Sequence, residues 1–195
     1  MIHLMLENNE QIDEVVYFES GWDFPQMEGH ISQVEKNTGL RITRVRNFRH
    51  FDELLYRWGW PHPSGGWCVE RKTRNCNAFI RGVKGTVECI GFSADELKRT
   101  KKPSLKKKKW IVRFPLVEYG FGSADALRYC RSLGYDWNGL YDVFNRVSCF
   151  SCPKAGQKRI DKLKAYFPDL YERYLEMDEI ANNRMPLCAE IRRKP

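Results

Sequence analysis

The 195-residue sequence has no run of about 18 apolar residues, which excludes a transmembrane helix. Its N-terminus, MIHLMLENNEQ, has no basic n-region and turns acidic within one helix length, so it does not read as a signal peptide. No internal repeat is visible. The four histidines (His3, His30, His50, His62) lack metal-ligand spacing and receive no role. An even, regular cysteine framework is also missing. Seven cysteines stand at irregular spacing, which points to a reducing cytoplasm with free thiols or metal ligands rather than disulfides.

What is present is enough for a core: 42% hydrophobic and 13% aromatic residues exclude global disorder. The length fits one domain by default, with two small ones as the alternative. The charge is uneven. Lys and Arg number 33 against 25 Asp and Glu, a net +8. Lys98 to Lys109 read KRTKKPSLKKKK, eight basic residues in twelve with no acid. Without them the chain holds 25 of each sign, so it is a neutral globular protein carrying one basic segment, not a histone-like one.

Short apolar strands alternate with amphipathic helices, the pattern of an α/β sheet. Glu14 to Phe18 is the clearest strand, and it runs into a Glu19-Ser20-Gly21 loop. Helices are expected over 25–38, 48–58, 69–80, 123–133 and 157–181, the last interrupted at Pro168. Gly39 and Gly134 are the expected helix stops, and Ser123 the expected N-cap. Further strands are expected near 40–45, 86–90 and 111–114. The chain opens oddly. Met1, Leu4 and Met5 have helical spacing, where a parallel α/β domain usually begins with a strand.

Two constellations carry chemistry. Cys149-Phe-Ser-Cys152 is a CxxC, a spacing that can bite a metal, hold part of a cluster, form a redox pair, or simply place two thiols in a turn. Cys68 and Lys72 are four apart, so on a helix they share a face, and the cation would lower the thiol pKa. An ordinary helix start is the alternative there. Cys76, eight residues past Cys68, would lie about 12 Å along the same helix. Cys89 and Cys130 read as core thiols. Arg71, Lys72, Arg74 and Arg81, with the 98–109 tract, could gather around an anion, the alternative for the tract being a solvated mobile loop.

Taken in order, these segments resemble the phosphoadenosine phosphosulfate reductase family of the PP-loop, adenine-nucleotide-binding superfamily. VVYFESGWDFPQ (15–26) is similar to the family's strand ending in Asp-Thr-Gly. GWCVERKTRNCNAF (66–79) resembles its Cys-x-x-x-Lys helix, and GFSADELKR (91–99) its Gly-x-x-x-x-Glu/Gln-Ser-x-x-Arg stretch. The block 114–142 looks like its Pro-Leu to Asn-Pro-Leu-Tyr region. NRVSCFSCP (145–153) resembles Arg-x-Gly-Cys-x-x-Cys-Pro, and FPDLYERYLEMDE (167–179) the closing Phe-Pro-Glu-Leu-Tyr helix.

The resemblance implies a three-layer α/β fold with a mostly parallel sheet, one domain over 1–195, a basic mobile loop at 98–109 and a helical extension over 155–195. It implies an adenylyl nucleotide, the phosphosulfate or ATP, as substrate. Glu19, Ser20, Gly21, Lys72, Arg99 and Arg146 are its expected contacts, and Lys72 and Cys188 the expected catalytic groups. Cys68, Cys149, Cys152 and Cys76 would hold a 4Fe-4S cluster or zinc. The Lys98 to Lys109 loop is expected first beside the phosphate-bearing ligand and second as a nucleic-acid contact; a thiol reductant protein and a second copy of the chain are the other expected partners, with no membrane. The sequence also departs from the family. The Ser-Gly-Gly-x-Asp-Ser phosphate loop does not precede the first helix, so a truncated start and an exposed strand edge are expected. Trp67 stands where cluster-bearing members have a first Cys, and Pro186-Leu-Cys188 does not match the family's nucleophile tail. Two other readings follow: a sulfur-transfer or nucleotide-activating protein acting on nucleic acid, and a non-catalytic binding module.

Overall fold

The computed structural model describes residues 1–62, 66–147, 149–152 and 154–183. They form a mixed α/β fold falling into two compact units. The first comprises Met1–Val15, Gly29–Thr43 and Ile80–Trp137; the second comprises Val16–Glu28, Arg44–Phe79 and the chain from Asn138 onward. In order, the elements are α1 (Ile2–Glu7), β1 (Val15–Glu19), α2 (Gln26–Thr38), β2 (Ile42–Arg46), α3 (Phe51–Trp58), α4 (Trp67–Ile80), β3 (Val87–Cys89), α5 (Leu97–Thr100), α6 (Pro103–Lys106), β4 (Ile111–Arg113), α7 (Pro115–Glu118), α8 (Ser123–Ser132), α9 (Leu140–Val143), α10 (Gln157–Tyr166) and α11 (Pro168–Asn182).

The strands come as two two-stranded sheets among the described residues, β1 with β2 and β3 with β4. The β3–β4 pair is parallel, as expected, with Val87, Glu88 and Cys89 opposite Ile111, Val112 and Arg113. Its ladder is only three residues long, and each strand pairs with a single neighbour.

In the first unit the buried apolar residues include Leu4, Met5, Ile31, Leu116 and Tyr135. Leu4 and Met5 come from α1, so the helical spacing at the chain start does bury a face. Tyr135 OH meets His3 Nε2 at 2.7 Å. Arg113, at the end of β4, is gripped by Glu10 and by Glu118, each at 2.5 Å, and Glu10 also accepts from Tyr119. These bonds hold the Glu10 and Glu118 carboxyls below their usual range, chiefly through Arg113.

Helix α8 begins at Ser123 with Gly122 as its N-cap, one residue from expectation. The Gly122 N–H donates to Asp125 Oδ2 at 3.0 Å. The Ser123 hydroxyl is taken up by Asp95 at 3.0 Å and Ser93 at 2.9 Å, so it bonds across the fold instead of capping its own helix. The 98–109 tract carries the two single-turn helices α5 and α6, with Pro103 at the first position of the second.

The second unit is built around two aromatic clusters. Trp22 packs against Phe51, Trp60 and Trp67 with centroids 5.3, 5.8 and 5.6 Å away. Phe24 packs against Phe144, Phe150 and Phe167. Edge-on aromatic pairs of this kind add about 0.5–1.5 kcal/mol each beyond their buried area. Helix α11 lies against α3 and α10, and buries Met177 and Ala181. The break between α10 and α11 falls at Pro168, as its missing N–H requires. Among the described residues no helix is long and apolar enough to cross a membrane.

Candidate functional site

The site lies within the second unit, where three segments meet. The first is the turn after β1. Ser20 is buried, and its N–H and hydroxyl both donate to Asp23 Oδ2, at 3.0 and 2.7 Å. The same Oγ accepts the Trp22 N–H at 3.1 Å. Gly21 sits between them at φ +76°, a backbone that favours glycine, and nothing lies within 4 Å of where its Cβ would be. The turn is therefore rigid, yet open at its tip.

The second segment is the start of α4. Gly66 fixes it: a Cβ there would fall 2.3 Å from Pro61 Cβ, so only glycine allows this approach. Cys68 and Lys72 follow on one face of the helix, as their spacing predicts. The third is the 149–152 turn, closed by the Cys152 N–H on the Cys149 carbonyl at 3.3 Å. Arg159 on α10 steadies it, donating to the carbonyls of Cys149 at 3.3 Å and Arg146 at 2.9 Å.

The three segments converge on Cys149. Lys72 Nζ donates to its Sγ at 3.6 Å, and Ser20 Oγ lies 3.7 Å from the same sulfur. Lys72 also lies 5.9 Å from the Phe18 ring centroid, a cation–π distance. Burial pulls the Lys72 ammonium down, but charges on Cys149 and Asp23, the bond to Cys149 and the nearby Cys68 outweigh it, and the net shift is upward. Lys72 is thus a firm cation. Burial pushes the Cys68 thiol up, and Cys149 adds to this against Lys72. Burial, then Asp23 and Cys149, push the Tyr17 phenol up. An ammonium has three donors, and only one is used on Cys149. The site can therefore hold oxyanions beside a thiol.

Of the residues expected at a site, Ser20, Lys72 and Cys149 come together, with Cys68 and Cys152 in electrostatic reach of them. Gly21 supplies the turn. Glu19 is engaged elsewhere: Arg46 donates to its carboxylate at 2.7 and 3.0 Å. Arg146 contributes its carbonyl to Arg159 and has an exposed side chain. Arg99 belongs to the first unit, paired with Glu96 at 2.6 Å and lying 4.1 Å over Phe92. Cys76 is half-buried on α4, two turns beyond Cys68. Cys188 lies outside the described residues.

Among the described residues no three His, Cys, Asp or Glu side chains are grouped closely enough to hold a metal ion. As placed, the described thiols do not make up a ligand set, and no chemistry is routed through a cluster. Sequence reasoning missed Asp23, Tyr17 and Arg159. Asp23 had a signal, the Ser-x-x-Asp spacing that marks a side-chain-to-backbone turn. Tyr17 and Arg159 had none, since their roles come from packing.

Fold and site together define an α/β protein whose second unit gathers a lysine and a serine around one thiol. The profile of the phosphoadenosine phosphosulfate reductase domain matches residues 1–155, and the chain belongs to that family. Two relatives from Methanocaldococcus jannaschii are similar. The uncharacterized protein MJ0066 is 26% identical over 171 residues, covering 83% of this chain and 35% of that protein. The uncharacterized protein MJ0973 is 22% identical over 178 residues, covering 87% and 43%. The chain thus spans less than half the length of either relative. No solved structure matches it significantly.

Proposed function

We propose that this chain binds an adenylyl nucleotide bearing a sulfo group and serves in reduction or transfer of that sulfur. The observation that carries the reading is the Lys72 ammonium, 3.6 Å from Cys149 Sγ, in a domain of this family. Lys72 would neutralise the sulfo or phosphate oxygens with its two unused donors. Ser20 and Gly21 would line the adenosine side, where the turn is rigid and open. In the reductive form a thiolate takes the sulfo group, breaking its S–O bond to the nucleotide phosphate, which leaves. A second thiol then displaces sulfite, so two thiols become one disulfide and two electrons reach the sulfur. Cys149 is the described thiol in reach of Lys72; Cys188 is the candidate that the family resemblance supplies.

Calorimetry with the phosphosulfate nucleotide and with ATP tests the binding. Micromolar affinity that falls about 100-fold in Lys72→Met is expected, and no binding would overturn the reading. Iron, zinc and sulfide analysis after anaerobic purification reads the metal separately, and a stoichiometric cluster would overturn the placement of Cys68, Cys149 and Cys152 described above.

A further inference from the structure

The eight basic residues of the 98–109 tract divide into two kinds. Arg99 is paired with Glu96, and Lys108, with its side chain 7% exposed, is paired with Glu88 on β3. Lys108 also lies 5.4 Å from the Trp110 ring centroid. These two cations pin the segment. The other six, Lys98, Lys101, Lys102, Lys106, Lys107 and Lys109, are all exposed and make no ion pair among the described residues. Arg113 and Arg128 in the same unit do find carboxylates, on Glu10 and Asp125.

Six like charges held in twelve residues repel one another, and no described carboxylate lies within ion-pair distance of them. Their arrangement is favourable when a polyanion supplies the missing charge. The residue type narrows the class. Lysine ammoniums are hydrated point charges on flexible stems, suited to successive phosphates along a backbone. The tract's one arginine is spent on Glu96, so the segment presents no free guanidinium fork for a bidentate grip on one anion. Helices α5 and α6 are four residues long with a single leucine each, so neither has the apolar face that lays a basic helix into a membrane interface.

We propose that this surface binds the phosphodiester backbone of a nucleic acid without reading its sequence. The inference goes beyond the nucleotide reading and does not rest on it.

The test is fluorescence anisotropy of the whole chain with a labelled mixed-sequence DNA duplex of about 30 base pairs, over roughly 50 to 200 mM salt. Wild type and the variant K101Q/K102Q/K106Q/K107Q are compared, with thermal melts as a fold control. A variant carrying arginine at the same four positions keeps the charge and covers the case in which the glutamine variant misfolds. Wild type should bind with a steep salt slope, of the order of one unit per phosphate contact. The glutamine variant should bind at least about 10-fold more weakly at low salt, with a slope shallower by about 3, while the arginine variant keeps both. Several results would overturn the proposal: no duplex binding by wild type at low salt, or an unchanged slope in the glutamine variant. Binding to vesicles containing phosphatidylserine but not to the duplex would assign the tract to membranes instead. Loss of phosphosulfate-nucleotide affinity in the glutamine variant, without duplex binding, would assign it to the nucleotide. Because the nucleotide is titrated separately, failure here leaves the reading of the Lys72 site standing.

Discussion

Lys72 and the lysines of the 98–109 tract are the same residue in opposite circumstances. Lys72 is half-buried, donates to one thiol, and has Asp23 and Cys68 acting on it. Six of the seven tract lysines are exposed and unpaired among the described residues, Lys108 with its Glu88 partner being the exception. The first arrangement fixes one charge at one point, which suits a small ligand with a defined anionic group. The second spreads many charges over a surface, which suits an extended polyanion. The net +8 belongs entirely to the second region, so overall charge says nothing about the site that the family membership makes interesting.

This contrast can be broken at either end. The largest effect is expected from Lys72→Met. It should weaken the nucleotide about 100-fold, roughly 3 kcal/mol, because it removes the cation that faces the anion and leaves the negative charge of Asp23 nearby. The same charge should persist into alkali. Lys72 titrates above its ordinary 10.5, so its pairing is intact below that value and is lost only as pH rises through the raised one. Nucleotide affinity measured between about pH 7 and 10 should show no fall due to this residue. The four-lysine glutamine variant comes next, with a loss of at least about 10-fold on DNA and less than about 2-fold on the nucleotide. Equal losses on both ligands would merge the two regions into one site.

Smaller effects sharpen the distinction between charges that build the fold and charges that serve ligands. Ser20→Ala removes a buried hydroxyl that serves the Trp22 N–H and Asp23. About 1–2 kcal/mol of stability should be lost in urea unfolding, with a smaller loss of nucleotide affinity. Glu10→Gln should cost about 1 kcal/mol at neutral pH, kept small because its Arg113 partner is partly exposed and screened. Glu10 has a lowered carboxyl pKa in the fold, so its contribution is present above the ordinary carboxylate value and lost as pH falls through the lowered one. The wild-type and Glu10→Gln melting temperatures should therefore converge as pH falls below the ordinary carboxylate range.

Much of the fold was legible because local pattern and tertiary packing agree. Leu4 and Met5 mark a buried helical face, Gly39 and Gly134 adopt the positive φ of helix stops, and Pro168 divides two helices. The site was legible in part. Cys68 and Lys72 share a helix face through local geometry, but the sulfur that Lys72 contacts is 77 residues away. No spacing rule reaches that far; only the family resemblance brought the CxxC near α4. Glu19 carries a bond that its own segment does not reveal. Its place in a family motif suggested ligand contact, whereas the neighbouring strand supplies Arg46 to hold it. Ser123 likewise had the right residue type for a cap, and long-range bonds to Asp95 and Ser93 claimed its hydroxyl.

The central claim is that Lys72 beside Cys149 is an anion-binding centre for an adenylyl nucleotide. Calorimetric titration of the phosphosulfate nucleotide into wild type and Lys72→Met, both verified as folded by their melts, tests it most directly. The account predicts micromolar binding by wild type and a drop of about 100-fold in the variant. Wild type that fails to bind, or a folded variant that binds equally well, would contradict it.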